Sequence, residues 1–279
     1  MKRKNRGAAA FRDRYGPWAL IVGASEGIGQ SFTLSLAKRG LHLVLIARKE
    51  RPLMRLSEEM KKEHHIDTLP LSEDLSASGA AERIGDATAG IDVGLVVYNA
   101  ALSEPGPFLN VQPDTLERLV ATNCTGPLLT CRHFGEVMAQ RRRGGMILMS
   151  SFSGFLGTPY VAAYAASKAF NLVLAEGLGY ELKSADVDVL VCCPGPTGTP
   201  GFNRSLNGQR PPAFPPVLSP AQVAEKSLRF LGKRSVLVPA FANQVSSFFV
   251  HKLLPRQAGV RITGRTTGRM YGKASRQGR

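Results

Sequence analysis

Apolar runs of strand length alternate along this chain with stretches patterned for helix, and that alternation limits the folds open to it more than any other feature. Residues 18–23 form the first apolar run, and a helical pattern follows over 28–39. LHLVLIA (41–47) precedes a charged helix over 51–64, and a short strand near 68–71 precedes a helix near 78–88. VGLVVYNA (93–100) leads into a long helix predicted over 114–141, and GGMILMSS (144–151) into one over 160–183. VDVLVCCPG (187–195), a Pro/Gly-rich loop, a helix near 220–231 and a last strand, SVLVP, complete the series. Strands that are almost wholly apolar, separated by helices, belong to a parallel sheet covered on both faces. The fold class expected is therefore α/β, a doubly wound parallel sheet. Short connections leave no domain boundary, and no repeat is present.

Composition narrows the classes further. With 43% hydrophobic residues in 279, the chain can bury a substantial core. It has no apolar run long enough to span a bilayer, and the basic N-terminus has no secretory apolar stretch behind it. Cys124, Cys131, Cys192 and Cys193 lack metal-ligand spacing, so no metal site is expected, and reduced thiols suit a cytoplasmic protein. The net charge of +15 is uneven: residues 1–14 carry six Lys/Arg against Asp13, residues 252–279 carry eight and no acid, and the body is close to neutral. That distribution predicts a body over 15–257 with mobile basic ends at 1–14 and 258–279. Such ends solubilise, or touch anionic lipid, RNA or an acidic partner. A specific nucleic-acid face is not expected, because the body carries little of the charge.

Specific chemistry begins at GASEGIG, which closes the first strand. Gly23, Gly27 and Gly29 are spaced for a turn tight enough to bring backbone amides against a pyrophosphate at a helix N-terminus. Ser25, Glu26 and Ile28 lie inside that turn. The second strand ends in Ala47 and Arg48, where an acid would hold the ribose 2′-hydroxyl of NAD. A neutral residue followed by a guanidinium suits a 2′-phosphate instead, so NADP(H) is favoured over NAD(H). Lys49 and Arg51 add positive charge, whereas Glu26 opposes an extra phosphate. The plainer alternative is a solvated arginine that merely follows a strand.

Tyr164 and Lys168 stand one helical turn apart among alanines, so they share a face. A phenol with its ordinary pKa of about 10 is a poor acid–base group at neutral pH. A neighbouring ammonium is expected to lower that value and fit the phenol for proton exchange with a carbonyl oxygen or an alcohol. Ser151, thirteen residues before Tyr164, ends the preceding strand, where its hydroxyl can hold the same oxygen. Asn123 lies within the predicted helix over 114–141. It marks either a helix irregularity or a backbone carbonyl that holds a water leading to Lys168. YNAA (98–101) and PGPTGT (194–199) follow strands at their carboxyl ends, where ligands bind in open α/β sheets.

In this order, GASEGIG, Asp74, YNAA, Asn123, Ser151, Tyr164-x-x-x-Lys168 and PGPTGT, the chain resembles the short-chain dehydrogenase/reductase family over about residues 16–240. YGPWALIVGASEGIG and LVLIAR are most similar to the branch of very-long-chain 3-ketoacyl reductases and 17β-hydroxysteroid dehydrogenases. The resemblance implies a Rossmann-type sheet of about seven parallel strands and a catalytic tetrad of Asn123, Ser151, Tyr164 and Lys168. It implies a cofactor site of Gly23, Ser25, Glu26, Gly27, Ile28, Gly29, Arg48, Asp74, Asn99, Ala100, Tyr164, Lys168, Pro194, Gly195, Thr197 and Thr199. In that set Asp74 meets the adenine end, Asn99 steadies the central strand, Lys168 grips the nicotinamide ribose and Thr199 the carboxamide. Val22, Tyr98-Asn99-Ala100-Ala101 and Thr197 depart from the family's usual residues without removing a catalytic group.

The function implied is an NADP(H)-dependent interconversion of a ketone and a secondary alcohol. Tyr164 would act as acid and base on a bulky apolar, acyl or steroid-like, small molecule. The alternative is a catalytically silent NADP(H)-binding sensor or scaffold whose basic ends bind anionic lipid or nucleic acid; the intact tetrad weighs against it. Residues 197–220 read as a mobile substrate lid. Residues 241–257 carry an amphipathic helical stripe suited to packing on the body, to another subunit, or to peripheral contact with an anionic membrane. Helices over 114–141 and 160–183 would form the dimer face of a homodimer or homotetramer.

Overall fold

The computed structural model describes residues 2–206, 208–209, 216–240 and 255–271. Seven strands, β1 (Trp18–Val22), β2 (His42–Ala47), β3 (Thr68–Ser72), β4 (Val93–Tyr98), β5 (Gly144–Met149), β6 (Val187–Cys192) and β7 (Val236–Leu237), form one sheet in the order β3-β2-β1-β4-β5-β6-β7. Every pairing is parallel, as in Ile21 opposite Leu45 on one side and Val97 on the other. The strand order reverses between β1 and β4, and a crevice opens there at the carboxyl ends.

The apolar strands are apolar because both faces are covered. Ala19 and Ile21 of β1 point into one core, with Phe32 and Leu36 of α2 (Gly27–Ala37), Leu53 and Met60 of α3 (Glu50–His64) and Val223 and Leu228 of α9 (Pro220–Phe230). Leu20 and Val22 point into the other. There they join Ile84 of α4 (Ala80–Ala87), Phe134 and Met138 of α6 (Gly126–Gln140) and Leu172 and Ala175 of α7 (Ala162–Glu181). Successive side chains of a strand alternate between faces, so one run of apolar residues serves two cores.

Three elements depart from the expectations. The predicted helix over 114–141 is two helices, α5 (Pro113–Val120) and α6, joined by a π-helical turn at Ala121–Thr125. Residues 1–14, expected to be a mobile basic arm, are mostly helical as α1 (Lys2–Tyr15). Its end is anchored: Arg14 Nε and the Tyr15 hydroxyl both donate to Asp188 of β6, at 2.7 and 2.6 Å, and the Phe11 and Tyr15 rings pack tilted with centroids 4.7 Å apart. Composition hid this anchor because two aromatics four residues apart are enough to dock a helix that is otherwise charged. At the C-terminal end a single helix, α10 (Arg256–Tyr271), runs across the boundary expected at 257/258. The amphipathic stripe at 241–254 lies outside the described residues.

Candidate active site

The glycine turn is built by contacts that exclude side chains. Gly23 has φ +83°, and a Cβ there would meet the Ala100 backbone at 2.8 Å. Gly27 has φ +61°, and its Cβ would press on Thr199 at 3.0 Å. A Cβ on Gly29 would collide with the Gly23 carbonyl. Asn99 Nδ2 donates to that same carbonyl at 3.0 Å, so Asn99 braces the turn itself. The strand's continuity there comes from the Asn99 and Ala100 amides, which donate to Val22 O.

A groove of about 310 Å³ runs from this turn across the β1/β4 crevice. Gly23, Ser25, Glu26, Gly27 and Ile28 of the turn, Asn99 and Ala100 after β4, and Thr199 and Arg204 beyond β6 line it. Arg48, Lys49 and Asp74 stand at the far end. Asp74 accepts from Ser76 N and Oγ at 3.0 and 2.7 Å, and these bonds, then Arg48 and Arg118, hold its carboxyl below the usual range. The groove thus pairs close backbone at one end with a guanidinium and a carboxylate at the other, a donor set that fits a dinucleotide. Beyond β6, Pro194 O accepts from Phe152 N, and Thr197 Oγ1 donates to Gly195 O. The Thr199 hydroxyl caps the short helix α8 (Pro200–Ser205) by accepting from Phe202 N at 3.0 Å.

At the π-turn the helix gives up part of its ladder. Asn123 O would ordinarily receive the amide four residues on, but that residue is Pro127, which has none. Asn171 Nδ2 of α7 donates to Asn123 O at 3.0 Å instead, and the Tyr98 hydroxyl donates to Thr122 O at 2.8 Å. The Asn123 side chain is buried and exchanges hydrogen bonds with both the N–H and the C=O of Leu102, at 2.7 and 2.8 Å. A third bond runs from its Nδ2 to Ser167 Oγ. The Asn123–Pro127 spacing is the sequence signal for this turn; Asn171, which holds it, had no signal of its own.

Lys168 is buried, with Nζ donating to Met149 O at 2.8 Å and lying 5.6 Å from the Tyr164 ring centroid. Burial lowers its pKa to about 8, with Cys124 and Cys193 acting in the opposite direction. Burial also pushes the Tyr164 phenol up to about 12; the Ser151 hydroxyl draws it down and the Tyr271 phenol adds to the rise. The expected lowering of the Tyr164 pKa is therefore not what the site produces: desolvation of the phenolate raises it, and the opposing influence is the Ser151 hydroxyl. Ser151 Oγ accepts from Ser153 N and Ser153 Oγ at 3.3 and 2.9 Å.

Sequence reading did not foresee α10 over this region. Gly264 packs against Pro159 and Gly268 against the Tyr160 ring, where a Cβ would come within 3.1 Å of each. Tyr160 itself has φ +64°, a left-handed backbone rare for a bulky residue, and its carbonyl accepts from Gly106 N at 2.7 Å. The last helix therefore roofs the connection that carries Ser151 into Tyr164.

A seven-stranded parallel sheet with this turn, this groove and this tyrosine–lysine pair defines a dinucleotide-dependent oxidoreductase. The family model for short chain dehydrogenases matches residues 17–210, and the chain belongs to that family. It is 33% identical over 224 residues to a 7β-hydroxysteroid dehydrogenase of Clostridium sardiniense, covering 80% of this chain and 85% of that one. It is 37% identical over 179 residues to a very-long-chain 3-oxoacyl-CoA reductase of Pyricularia oryzae, covering 62% and 54%. The solved structure of a 7β-hydroxysteroid dehydrogenase superposes with a TM-score of 0.85 at 29% identity, covering 91% of this chain and 98% of that one. A short-chain dehydrogenase from Sphingobium yanoikuyae in complex with NADPH superposes at 0.75 with 26% identity, covering 84% and 91%. The branch expected from the sequence, ketoreductase and hydroxysteroid dehydrogenase, is the one these relatives occupy. The chain is an oxidoreductase acting on CH–OH and C=O groups.

Proposed function

We propose that the chain is an NADP(H)-dependent reductase of bulky apolar ketones, steroid-like or long acyl, with Tyr164 as proton donor. The observation that carries this reading is the half-buried Tyr164, whose phenol meets the Ser151 hydroxyl and whose ring centroid lies 5.6 Å from Lys168 Nζ, in a chain whose dinucleotide groove includes Arg48. With its pKa near 12 the phenol is protonated at neutral pH, the form a proton donor must have, although burial makes it a weaker acid than a free phenol. When bound, the nicotinamide would supply the hydride. Ser151 holds the carbonyl oxygen, Tyr164 protonates it, and Lys168 returns the proton with a water on the second lone pair of Asn123 O. Arg48 would pair with the 2′-phosphate, supported by Lys49. Pro159 and Tyr160, roofed by α10, offer apolar walls, and the names of the relatives point to steroid and 3-oxoacyl substrates.

The test is the loss of NADPH absorbance against 7-ketosteroids and 3-ketoacyl thioesters of increasing chain length, with NADH in parallel. Turnover with at least one bulky ketone is expected, faster with NADPH, and lost by more than about a hundredfold in Tyr164→Phe, which still binds cofactor. Undiminished turnover in Tyr164→Phe would sink the proton-donor role, and a preference for NADH would sink the role given to Arg48.

A further inference from the structure

One ion pair joins two parts of the dinucleotide groove's lining. Arg204 Nη2 lies 2.5 Å from Glu26 Oε1 and Nη1 lies 3.3 Å from Oε2, a two-pronged contact between residues 178 apart in sequence. Glu26 belongs to the glycine turn and Arg204 to α8, and both line the groove. The contact is not an isolated surface pair. At the N-terminal end of α8, Thr199 sits against Gly27. The base of the segment is tied down by Gly198 N, which donates to Leu218 O, and by the bridge between Thr197 and Leu218. Among the described residues no other ion pair joins this segment to the turn.

We infer that Glu26 and Arg204 form a strap that retains the dinucleotide, so that cofactor entry and release require the pair to open. The inference rests on the cofactor site proposed above and adds Arg204 to it as a positioning residue. The turn alone cannot hold a ligand from the side on which α8 stands, because its amides approach from one direction only. A charge pair at this place leaves both side chains largely in water, Arg204 63% and Glu26 46% exposed. A pair in that setting is weak and salt-sensitive, which suits a strap that must open on every turnover. Glu26 has a second effect of opposite sign. Its carboxylate lies in the turn that would receive the diphosphate and repels it. Pairing with Arg204 offsets that repulsion, and this explains how an acid is tolerated inside a phosphate-binding turn.

Stopped-flow release of NADPH, followed by its fluorescence while excess NADP⁺ displaces it, separates the two effects in a cycle of Glu26→Gln, Arg204→Gln and the double variant. In the wild-type background Glu26→Gln is expected to speed release by about two- to fivefold, the range of an exposed pair. In the Arg204→Gln background the same change should slow release or leave it unaltered, since only the repulsion remains to be removed. Raising the salt concentration should speed release from the wild type more than from the double variant. An identical effect of Glu26→Gln in both backgrounds would overturn the strap while leaving the cofactor site intact. A wild-type protein that binds neither NADPH nor NADH would overturn the cofactor reading and the strap together.

Discussion

Lys168 and Tyr164 set the behaviour of the site through burial. Both groups resist charging: the ammonium is pulled down to about 8 and the phenol pushed up to about 12, each chiefly by loss of water. Holding Lys168 charged in the folded state at neutral pH costs on the order of 3 kcal/mol. The sign of the resulting linkage is fixed. Between about 8 and the ordinary value of 10.5, the unfolded chain keeps a proton on this lysine that the folded chain has lost, so stability rises with pH. Denaturation of the wild type and of Lys168→Met across that window should show the wild type gaining on the variant; parallel curves would contradict the assignment. The pairing of Tyr164 with Lys168 was legible from their spacing. The dominance of burial was not, because solvent exclusion is produced by tertiary packing that the spacing of the two residues does not record.

At the scale of elements, the π-turn between α5 and α6 does the most to place the tetrad. Pro127 removes the amide that would claim Asn123 O, and the turn is then held from outside by Tyr98 on β4 and Asn171 on α7. Tyr98 stands where the family usually has another residue, and its hydroxyl packs so tightly on Gly126 that no side chain fits there. Tyr98→Phe would leave the buried Thr122 carbonyl without its partner, at a cost of about 1–3 kcal/mol. The thermal midpoint should fall by a few degrees and kcat should drop, with NADPH affinity retained because Tyr98 does not touch the groove floor. An unchanged kcat would mean that the turn holds Asn123 without help from β4. The helical pattern over 114–141 foretold the element but not its interruption. A π-turn adds a single residue to the ladder and barely disturbs the apolar period that reveals a helix.

For the whole molecule, the described surface carries an apolar face that the monomer leaves open. Val120 of α5, Leu128, Leu129 and Val137 of α6 and Phe170, Val173 and Tyr180 of α7 are all exposed, Val173 at 67% and Tyr180 at 86%. These helices are the ones from which a dimer face was expected, and a second copy of the chain is the occupant we propose for it. Light scattering should give at least a dimer for the wild type and a smaller species for Val173→Glu; a monomeric wild type would remove the proposal. No helix among the described residues is long and apolar enough to cross a membrane.

The sequence by itself determined the sheet and the reaction class. Strand and helix periods are local, and GASEGIG, Ser151, Tyr164 and Lys168 each mark a strand end or a helix turn that is recognisable from residues a few positions away. Tertiary structure decided what depends on distant pairs. It turned a basic N-terminus into a helix anchored on Asp188 and brought Glu26 within reach of Arg204. It also laid a C-terminal helix over the catalytic connection. Those outcomes hinge on one or two contacts between segments far apart in the chain, and such contacts leave no periodic trace in the residues that make them.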